Sequence, residues 1–421
     1  MSSVERQRLT LKCGLIGFTD PSLISCQRFY PTSCRNGKDR LKHYASKFPI
    51  CEIDTSHYAI PTMRVVQDWI AATKQFTGFQ FHIKAFGMFT LKQMNFGNLP
   101  FVVKNALQES RGTLNFGRTT TVTWDMLDSG SRSMLWREFN EKIVALRSAN
   151  LLGAVLFQFQ LDFTPTPQNK KWVEFCRSNI PSGSKMVVDF RSRLWYSNGH
   201  LDATLKWLEA INCVNVISDE LLHELHRNKL QKQVHGASLE RSTELASMNL
   251  KVTHKSRFVY VRVHRREGKK RLLGNDWMQS WKDRIENNFL AGGKHGKEVH
   301  FVMGTAWEDQ AVKNCHALYK VMGINVDRVW RSLHRQTSTL GMLFKKQQER
   351  NSSRPEGDKL KQGDRVTTPA KRSLPPSARM SRTNVAGATN RHATKKQRVT
   401  GKTIPTKDTK QRLLSNFFKK R

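Results

Sequence analysis

The sequence has no apolar run long enough to span a bilayer, no apolar core of signal-peptide length at its N-terminus and no Cys-x-x-Cys pair. Its seven cysteines are odd in number and are not grouped with histidines. This pattern argues against a zinc finger or a disulfide framework and favours a reducing compartment. We therefore expect a soluble protein of the cytosol or nucleus, with no membrane partner.

Acidic residues are scarce: 34 Asp and Glu stand against 71 Lys and Arg, which gives a net charge of +37. Such a balance favours polyanionic partners, nucleic acid or a phosphorylated ligand first among them. The chain also has no Walker loop, no Gly-x-Ser-x-Gly elbow and no dinucleotide-binding fingerprint. The charge therefore indicates a ligand class, and the missing motifs remove three common routes to an enzyme assignment.

Short apolar runs alternate with segments of helical period, such as Leu201, Leu205 and Leu208. Continuous apolar runs separated by helices predict a parallel sheet that is covered on its outer face. Eight such units predict an α/β fold of the TIM-type (β/α)8 barrel class, with an open doubly wound sheet as the alternative. The predicted strands cover 13–18, 50–54, 79–84, 153–159, 186–190, 213–218, 258–263 and 299–303.

The interval from about 85 to 150 is too long for a single crossover helix. We interpret it as an excursion over the mouth of the barrel. The predicted organisation is a flexible N-terminus at 1–10, the barrel at 11–330, a linker at 331–344 and a tail at 345–421.

Polar residues follow the predicted strands at the end where barrel loops converge on one mouth. The carboxylates there could act as acid, base or ligands of a divalent metal, the histidine could carry a proton, and the cations could hold an anion. Alternatively, these charges neutralise one another inside the barrel and never contact a substrate. The candidate catalytic residues are Glu52, Lys84, Asp189, Asp219, Arg262 and His264.

The loop after the seventh strand, "HRREGKKRLLG", lies where such barrels often bind a phosphate. Its cations, with one from an earlier strand end, are the candidate phosphate or nucleic-acid ligands, although a solvated basic loop has the same composition. They are Arg191, Arg265, Arg266, Lys269 and Lys270.

Several of these segments recur in a fixed order: "LKHYASKFPICEIDTSHY", "GFQFHIKA", "AVLFQF", "VVDFRSRLWY" and "FVYVRVHRREG". Together they resemble the domain-of-unknown-function 72 family, the YecE-like proteins, over roughly residues 11–325. The resemblance implies a TIM-type barrel and carries over no activity. Its motif positions fall on Glu52, Tyr58, Lys84, Gln158, Asp189, Arg191, Trp195, Asp219, Arg262 and His264.

From 345 onward aromatic residues are absent until Phe417, and 22 basic residues stand against 5 acidic ones, so +17 of the net charge lies there. Low apolar content with high net charge predicts a disordered tail. Its clusters "AKRSLPPSARMSR" and "RHATKKQR" are typical of nuclear import signals, or of a basic segment that grips DNA without specificity. We expect nuclear localisation.

The tail ends in "QRLLSNFF", residues 411–418. A short helical turn would bring Leu414, Phe417 and Phe418 to one side as an apolar plug, while Gln411 could enter a polar pocket. This pattern is similar to the PIP-box by which replication and repair proteins bind the sliding clamp PCNA. Without a partner, it would be only an apolar tail end.

A second stretch, "TSTLGMLFKK", places Leu340, Leu343 and Phe344 at comparable positions but has Thr337 where the motif has glutamine. It is either a weaker clamp motif or the last helix packing on the barrel, and we favour packing. If both motifs bind, one chain could engage two clamp subunits.

These features predict a nuclear, PCNA-associated protein of DNA replication or repair whose barrel could be a DNA-directed phosphodiesterase or hydrolase. Two alternatives remain open: a noncatalytic module that binds DNA or a phosphorylated ligand, and a metabolic small-molecule hydrolase.

Overall fold

A computed structural model describes residues 10–110, 116–197, 199–220, 258–266, 268–287, 298–327 and 329. The possible second clamp motif and the PIP-box-like motif lie outside these residues, as does the whole predicted tail. No helix in the described part is both long and apolar enough to cross a bilayer.

Eight parallel strands close into a barrel, which confirms the predicted fold class. Their bounds are β1 Thr10–Ile16, β2 Ile50–Ile53, β3 Gln80–Lys84, β6 Leu152–Phe159, β7 Met186–Phe190, β8 Cys213–Glu220, β9 Phe258–His264 and β10 Glu298–Met303. Around the barrel the strands follow one another in the order β1, β10, β9, β8, β7, β6, β3, β2 and back to β1. Each predicted strand coincides with one of them.

Helices cover the outside of the barrel. They are α1 Pro21–Ser25, α2 Gly37–Ala45, α3 Met63–Thr73, α4 Gly87–Leu91, α5 Phe101–Ser110, α6 Ser129–Ser148, α7 Pro167–Asn179, α8 His200–Ala210, α9 Asn275–Ile285 and α10 Gln310–Val321. Local sequence fixes several of their starts. Asp128 accepts a hydrogen bond from the Ser131 amide at 2.6 Å before α6, and Thr166 accepts one from the Asn169 amide at 3.2 Å before α7, which also has proline at its first position.

The long interval between β3 and β6 forms a small unit of its own. Before α6 it holds, in chain order, α4, β4 Gln93–Asn95, α5 and β5 Thr121–Thr123, and the two strands pair as an antiparallel sheet. Phe89 joins this unit to the helical layer, since its ring stacks on Trp136 at 3.6 Å and its carbonyl accepts the Trp172 indole N–H at 2.9 Å. The contacts of Phe89 with α6 and α7 therefore attach this unit to the outer helices.

Two apolar regions result from the alternation of side chains along each strand. On β9, Val259, Val261 and Val263 pack with the helices, whereas Phe258 and Tyr260 lie in the small apolar cluster inside the barrel. All seven residues of β9 are buried. The same alternation brings Arg262 into the interior, next to the carboxyl ends of the other strands.

Candidate functional site at the barrel mouth

Arg262 is the centre of a buried charged cluster at the carboxyl ends of the strands. Its guanidinium donates to Glu52 through Nε at 3.1 Å and through Nη2 at 2.7 Å. The Nη1 group donates to Asp189 at 2.8 Å and to Gln158 at 2.8 Å. Because the planar guanidinium presents its donors in fixed directions, these contacts from β2, β6 and β7 hold the strand ends in register.

Glu52 is fully buried and accepts a third hydrogen bond, from the Tyr260 hydroxyl at 2.7 Å. Burial raises the pKa of the Glu52 carboxyl, while the positive charge of Arg262 and the hydrogen bonds to both partners act in the opposite direction. The carboxyl has partners on both oxygens, so it serves first to fix Arg262.

Asp189 is equally constrained. Beyond Arg262, it accepts the Ser218 hydroxyl at 3.0 Å and lies 3.5 Å from Arg191 Nη1. Glu52 and Asp189, two of the three carboxylates that the sequence offered as acid, base or metal ligand, are thus paired with cations, as in the alternative in which the charges neutralise one another.

Lys84 and Asp54 form a looser pair beside this core. Lys84 Nζ lies 3.5 Å from Asp54 Oδ1, and Arg262 Nη2 lies 3.6 Å from the same oxygen. Burial alone would raise the pKa of the Asp54 carboxyl, but the charges of Lys84 and Arg262 lower it to about 2. Burial lowers the pKa of the Lys84 amine, with Asp54 opposing. Asp54 is therefore ionised at neutral pH and faces a buried ammonium group.

His264, the last residue of β9, differs from the rest of the cluster. Its side chain is buried, yet neither ring nitrogen has a hydrogen-bond partner in the part of the chain that the structure describes. Burial lowers the pKa of His264 well below its usual value, and the charges of Arg262, Arg266, Arg191 and Lys84 lower it further. The ring is therefore neutral at physiological pH, with one nitrogen able to donate a hydrogen bond and the other able to accept one.

Asp219 lies away from this cluster. Its neighbour Ser218 bonds Asp189 inside the barrel, whereas Asp219 accepts the indole N–H groups of Trp277 at 2.7 Å and Trp281 at 2.8 Å from α9. Arg265 donates to the same carboxylate at 2.6 Å. Five of the six predicted catalytic residues therefore lie together: Glu52, Lys84, Asp189, Arg262 and His264. The sixth, Asp219, lies on β8 with its side chain directed toward the outer helices.

The predicted basic loop is partly engaged in protein contacts. Arg265 is paired with Asp219, and the Lys269 ammonium and Arg271 guanidinium lie 5.2 Å and 5.8 Å from the centroid of the Trp307 ring. Lys270 is exposed, and the charge of Arg266 lowers the His264 pKa. These residues border the mouth, and Arg191 enters the cluster through Asp189.

Two further residues belong to the site although sequence reasoning did not single them out. Tyr260 and Ser218 each donate to one of the buried carboxylates. Tyr260 could have been found, since it lies two residues before Arg262 on the same strand face. In the described residues, no group of three or more His, Cys, Asp or Glu side chains is placed to hold a metal ion.

The fold and the site define a TIM-type barrel with a charged, buried cluster at the carboxyl end of its strands. Residues 12–339 match the family described as "Protein of unknown function DUF72", and the chain belongs to that family. This confirms the family resemblance seen in the sequence.

Relatives agree with this assignment. The UPF0759 protein YunF of Bacillus subtilis (strain 168) is 28% identical over 207 residues, which is 49% of this chain and 60% of that protein. The chain thus matches less than two thirds of the length of that curated relative.

Solved structures share the fold. A DUF72 family protein of Enterococcus faecalis V583 superposes with a TM-score of 0.52 at 18% identity, over 76% of this chain and all (100%) of that one. A second, from Thermotoga maritima MSB8, gives 0.50 at 17% identity over 75% and 99%. At this level of identity the likeness extends to the fold alone.

Proposed function

We propose that this chain is a nuclear, PCNA-associated protein of DNA replication or repair, whose barrel acts on a phosphodiester of nucleic acid as a hydrolase. The observation that carries the catalytic part is His264, a buried neutral imidazole without a described partner on either nitrogen, surrounded by cations. Buried polar groups usually have hydrogen-bond partners, and polar groups at the mouth of a barrel often contact ligands.

The charges around His264 favour the binding of an anionic ligand. Lys84, Arg191, Arg262 and Arg266 all disfavour a proton on this ring, so the position has a positive potential. A phosphate group would bring negative charge and several acceptor oxygens to the same place. The net charge of the chain, +37, would help attract a polyanion to it.

The roles within the site follow from the hydrogen bonds. Glu52 and Asp189 are bound to Arg262, so they position the cluster. The negative charge of a bound phosphate would oppose the effect of these cations on His264 and make it the available base: it takes a proton from water as the water oxygen bonds to phosphorus. The bond from phosphorus to the leaving oxygen then breaks, and the leaving oxygen takes up the proton. Lys84 stabilises the charge on the phosphoryl oxygens.

A His264→Asn variant tests the catalytic role, with His200→Asn as the matched control, because His200 is exposed at the start of α8. We expect phosphodiester hydrolysis by the full-length protein to fall about a hundredfold or more in His264→Asn and to stay unchanged in the control. Urea unfolding of both variants checks the fold. Equal hydrolysis in the two variants would remove His264 from the mechanism.

The pairing of the carboxylates with Arg262 favours a second candidate, a noncatalytic module that binds DNA or a phosphorylated ligand. In that case wild-type protein binds DNA without turnover, and Lys84→Met weakens the binding. Turnover that depends on His264 rejects the module.

The clamp-binding part of the proposal is supported by the sequence "QRLLSNFF". Titration calorimetry of the full chain against PCNA tests it, with a Phe417→Ala, Phe418→Ala double variant and Leu413→Ala as a control at a position outside the motif. We expect the double variant to lose binding and the control to keep it. Absence of binding by wild-type protein to a clamp that binds a known peptide would reject the association.

A further inference from the structure

A groove on the outer helical layer has no role in the site at the mouth. It lies between α6, α7 and the turn at Trp124–Met126, and its volume is about 460 Å³. Cavities that bind small ligands commonly have 300–1,000 Å³, so this groove could accept a group as large as a nucleotide. Its aromatic walls are Trp124, Trp136, Trp172 and Phe175.

These aromatic rings form a fixed platform. Phe175 has its ring centroid 5.2 Å from Trp172, 6.0 Å from Trp124 and 6.1 Å from Trp136. Trp172 is tied through its indole N–H to the Phe89 carbonyl. Phe175 nevertheless is 38% exposed, so a large apolar ring at the centre of a rigid aromatic cluster faces solvent.

Positive charge surrounds this platform. The Arg132 guanidinium lies 5.3 Å from the Trp124 ring centroid and is held by hydrogen bonds to the Trp124 carbonyl. Lys92 Nζ lies 4.5 Å from the Trp172 ring centroid, and Lys171 is an exposed lining residue. No carboxylate lines the groove in the described part of the chain, and the nearby Asp128 is engaged in capping α6.

The first turns of two helices also contribute to the lining. Ser129, Arg132 and Ser133 come from the start of α6, and Gln168, Lys171 and Trp172 come from the start of α7. The Asp128 carboxylate compensates the N-terminus of α6, whereas the N-terminus of α7, capped by the neutral Thr166, adds partial positive charge to that of the side chains. Because helices of this fold run back along the barrel from the carboxyl ends of the strands, the starts of α6 and α7 lie at the same end as the mouth.

We propose that this groove binds single-stranded nucleic acid, with a base stacked on Phe175 and the adjoining phosphate held by Lys171 and Arg132. Aromatic rings interleaved with cations are the usual combination for single strands, because every base offers a π-face and every nucleotide a charge. The cations beside the groove, Lys92, Arg132 and Lys171, disfavour a basic segment as its occupant. The inference rests on the proposed function for its ligand class and adds a second contact site outside the mouth.

The experiment measures fluorescence anisotropy of a labelled oligodeoxythymidylate with the full-length protein, beside an abasic oligonucleotide of the same length. We expect Phe175→Ala to weaken binding of the oligodeoxythymidylate about tenfold and to leave abasic binding unchanged, because only the first ligand can stack. Lys171→Glu should weaken binding of both ligands. The matched controls, Phe101→Ala and Lys206→Glu, change an exposed ring and an exposed lysine on other helices and should bind as wild type.

Other outcomes overturn the proposal. If Phe175→Ala and Lys171→Glu bind as wild type while Lys84→Met loses affinity, nucleic acid is bound at the mouth alone and the proposed function stands without the groove. If wild-type protein binds neither single strands nor duplex, both fail. Binding of an acidic aromatic peptide in the groove in place of the oligonucleotide would assign it to a protein partner instead.

Discussion

The two ends of the barrel interior both bury ionisable side chains but treat them differently. At the amino end of the strands, Lys12 contacts Glu298 at 2.6 Å and Gln80 at 3.0 Å. A series of hydrogen bonds continues from there: Glu298 contacts His300 Nε2 at 2.9 Å, and His300 Nδ1 contacts His82 Nε2 at 2.9 Å. At the mouth, Arg262 is saturated in the same way, yet His264 has no described partner.

The hydrogen bonds explain this difference. If His300 donates to Glu298 through Nε2, its Nδ1 must accept a hydrogen bond from the Nε2–H group of His82, so both rings have one defined tautomer and a structural role. One acceptor, His82 Nδ1, has no partner in the described residues, but it faces the barrel wall at Gly153. The His264 ring offers a donor and an acceptor at the end where ligands enter. Burial with partners therefore marks a structural group, and burial without them at the mouth marks a binding group.

The largest expected effect comes from Arg262→Met. This change leaves Glu52 and Asp189 buried without their shared cation, so we expect the free energy of unfolding to fall by about 3–5 kcal/mol in urea denaturation. Lys12→Met at the amino end breaks the partly exposed ion pair with Glu298, and the free energy of unfolding should fall by about 1 kcal/mol or less.

A combined Glu52→Gln, Asp189→Asn, Arg262→Met variant separates charge from packing. Removal of all three charges should recover much of the stability lost in the single variant, because no uncompensated ion remains. A triple variant as unstable as Arg262→Met would show that the geometry of the guanidinium, and not its charge, holds the strand ends.

Acid should also destabilise the folded protein, through its buried histidines. Burial lowers the pKa of His300 to about 4, against an unfolded value near 6.5, with Glu298 opposing. The unfolded state therefore binds the proton first, so stability is full above about pH 6.5 and falls as the pH drops toward 4. The loss from His300 alone should be about 3 kcal/mol, and His82 and His264, whose pKa values are also lowered, act with the same sign.

Unfolding curves recorded at a series of pH values check this dependence. His300→Gln should make the free energy of unfolding depend less on pH by removing the titrating group at the amino end of the barrel. His264→Asn should do the same by removing the titrating group at the mouth. A phosphate-bearing ligand should reduce only the His264 part, because an anion at the mouth compensates a protonated ring. A pH slope unchanged in both variants would contradict the assignment.

Much of the fold could be predicted because continuous apolar runs identified all eight barrel strands, and the polar strand ends identified Glu52, Asp189 and Arg262. Whether the Asp219 side chain points into the barrel or toward the outer helices could not be predicted. Strand β8 is buried on both sides, so its apolar pattern does not tell which parity points inward. The hydrogen-bond partners of Asp219, Trp277 and Trp281, lie 58 and 62 residues further along the chain, so no local sequence pattern indicates them. The absence of a hydrogen-bond partner for His264 among the described residues likewise depends on all of its neighbours at once.

A smaller effect than that of Arg262→Met is expected at two glycines that each border one of the contrasting histidines. A Cβ added at Gly153 would lie 2.6 Å from His82 Cε1, and one added at Gly304 would lie 2.8 Å from both His264 Nδ1 and the Val263 carbonyl oxygen. Each alanine substitution should lower the free energy of unfolding by about 1–3 kcal/mol, and Gly304→Ala by more, since a backbone oxygen cannot move aside as a ring can.

Ligand binding distinguishes the two alanine variants more sharply than stability does. Gly304→Ala displaces the imidazole that we propose contacts the phosphate, so affinity for a phosphodiester ligand should fall, whereas Gly153→Ala should bind as wild type despite its lower stability. Calorimetric titration of both variants at a temperature where each is folded makes the comparison. Equal affinities would mean that His264, like His82, has only a structural role in the barrel, and the contrast between the two ends would then lose its functional meaning.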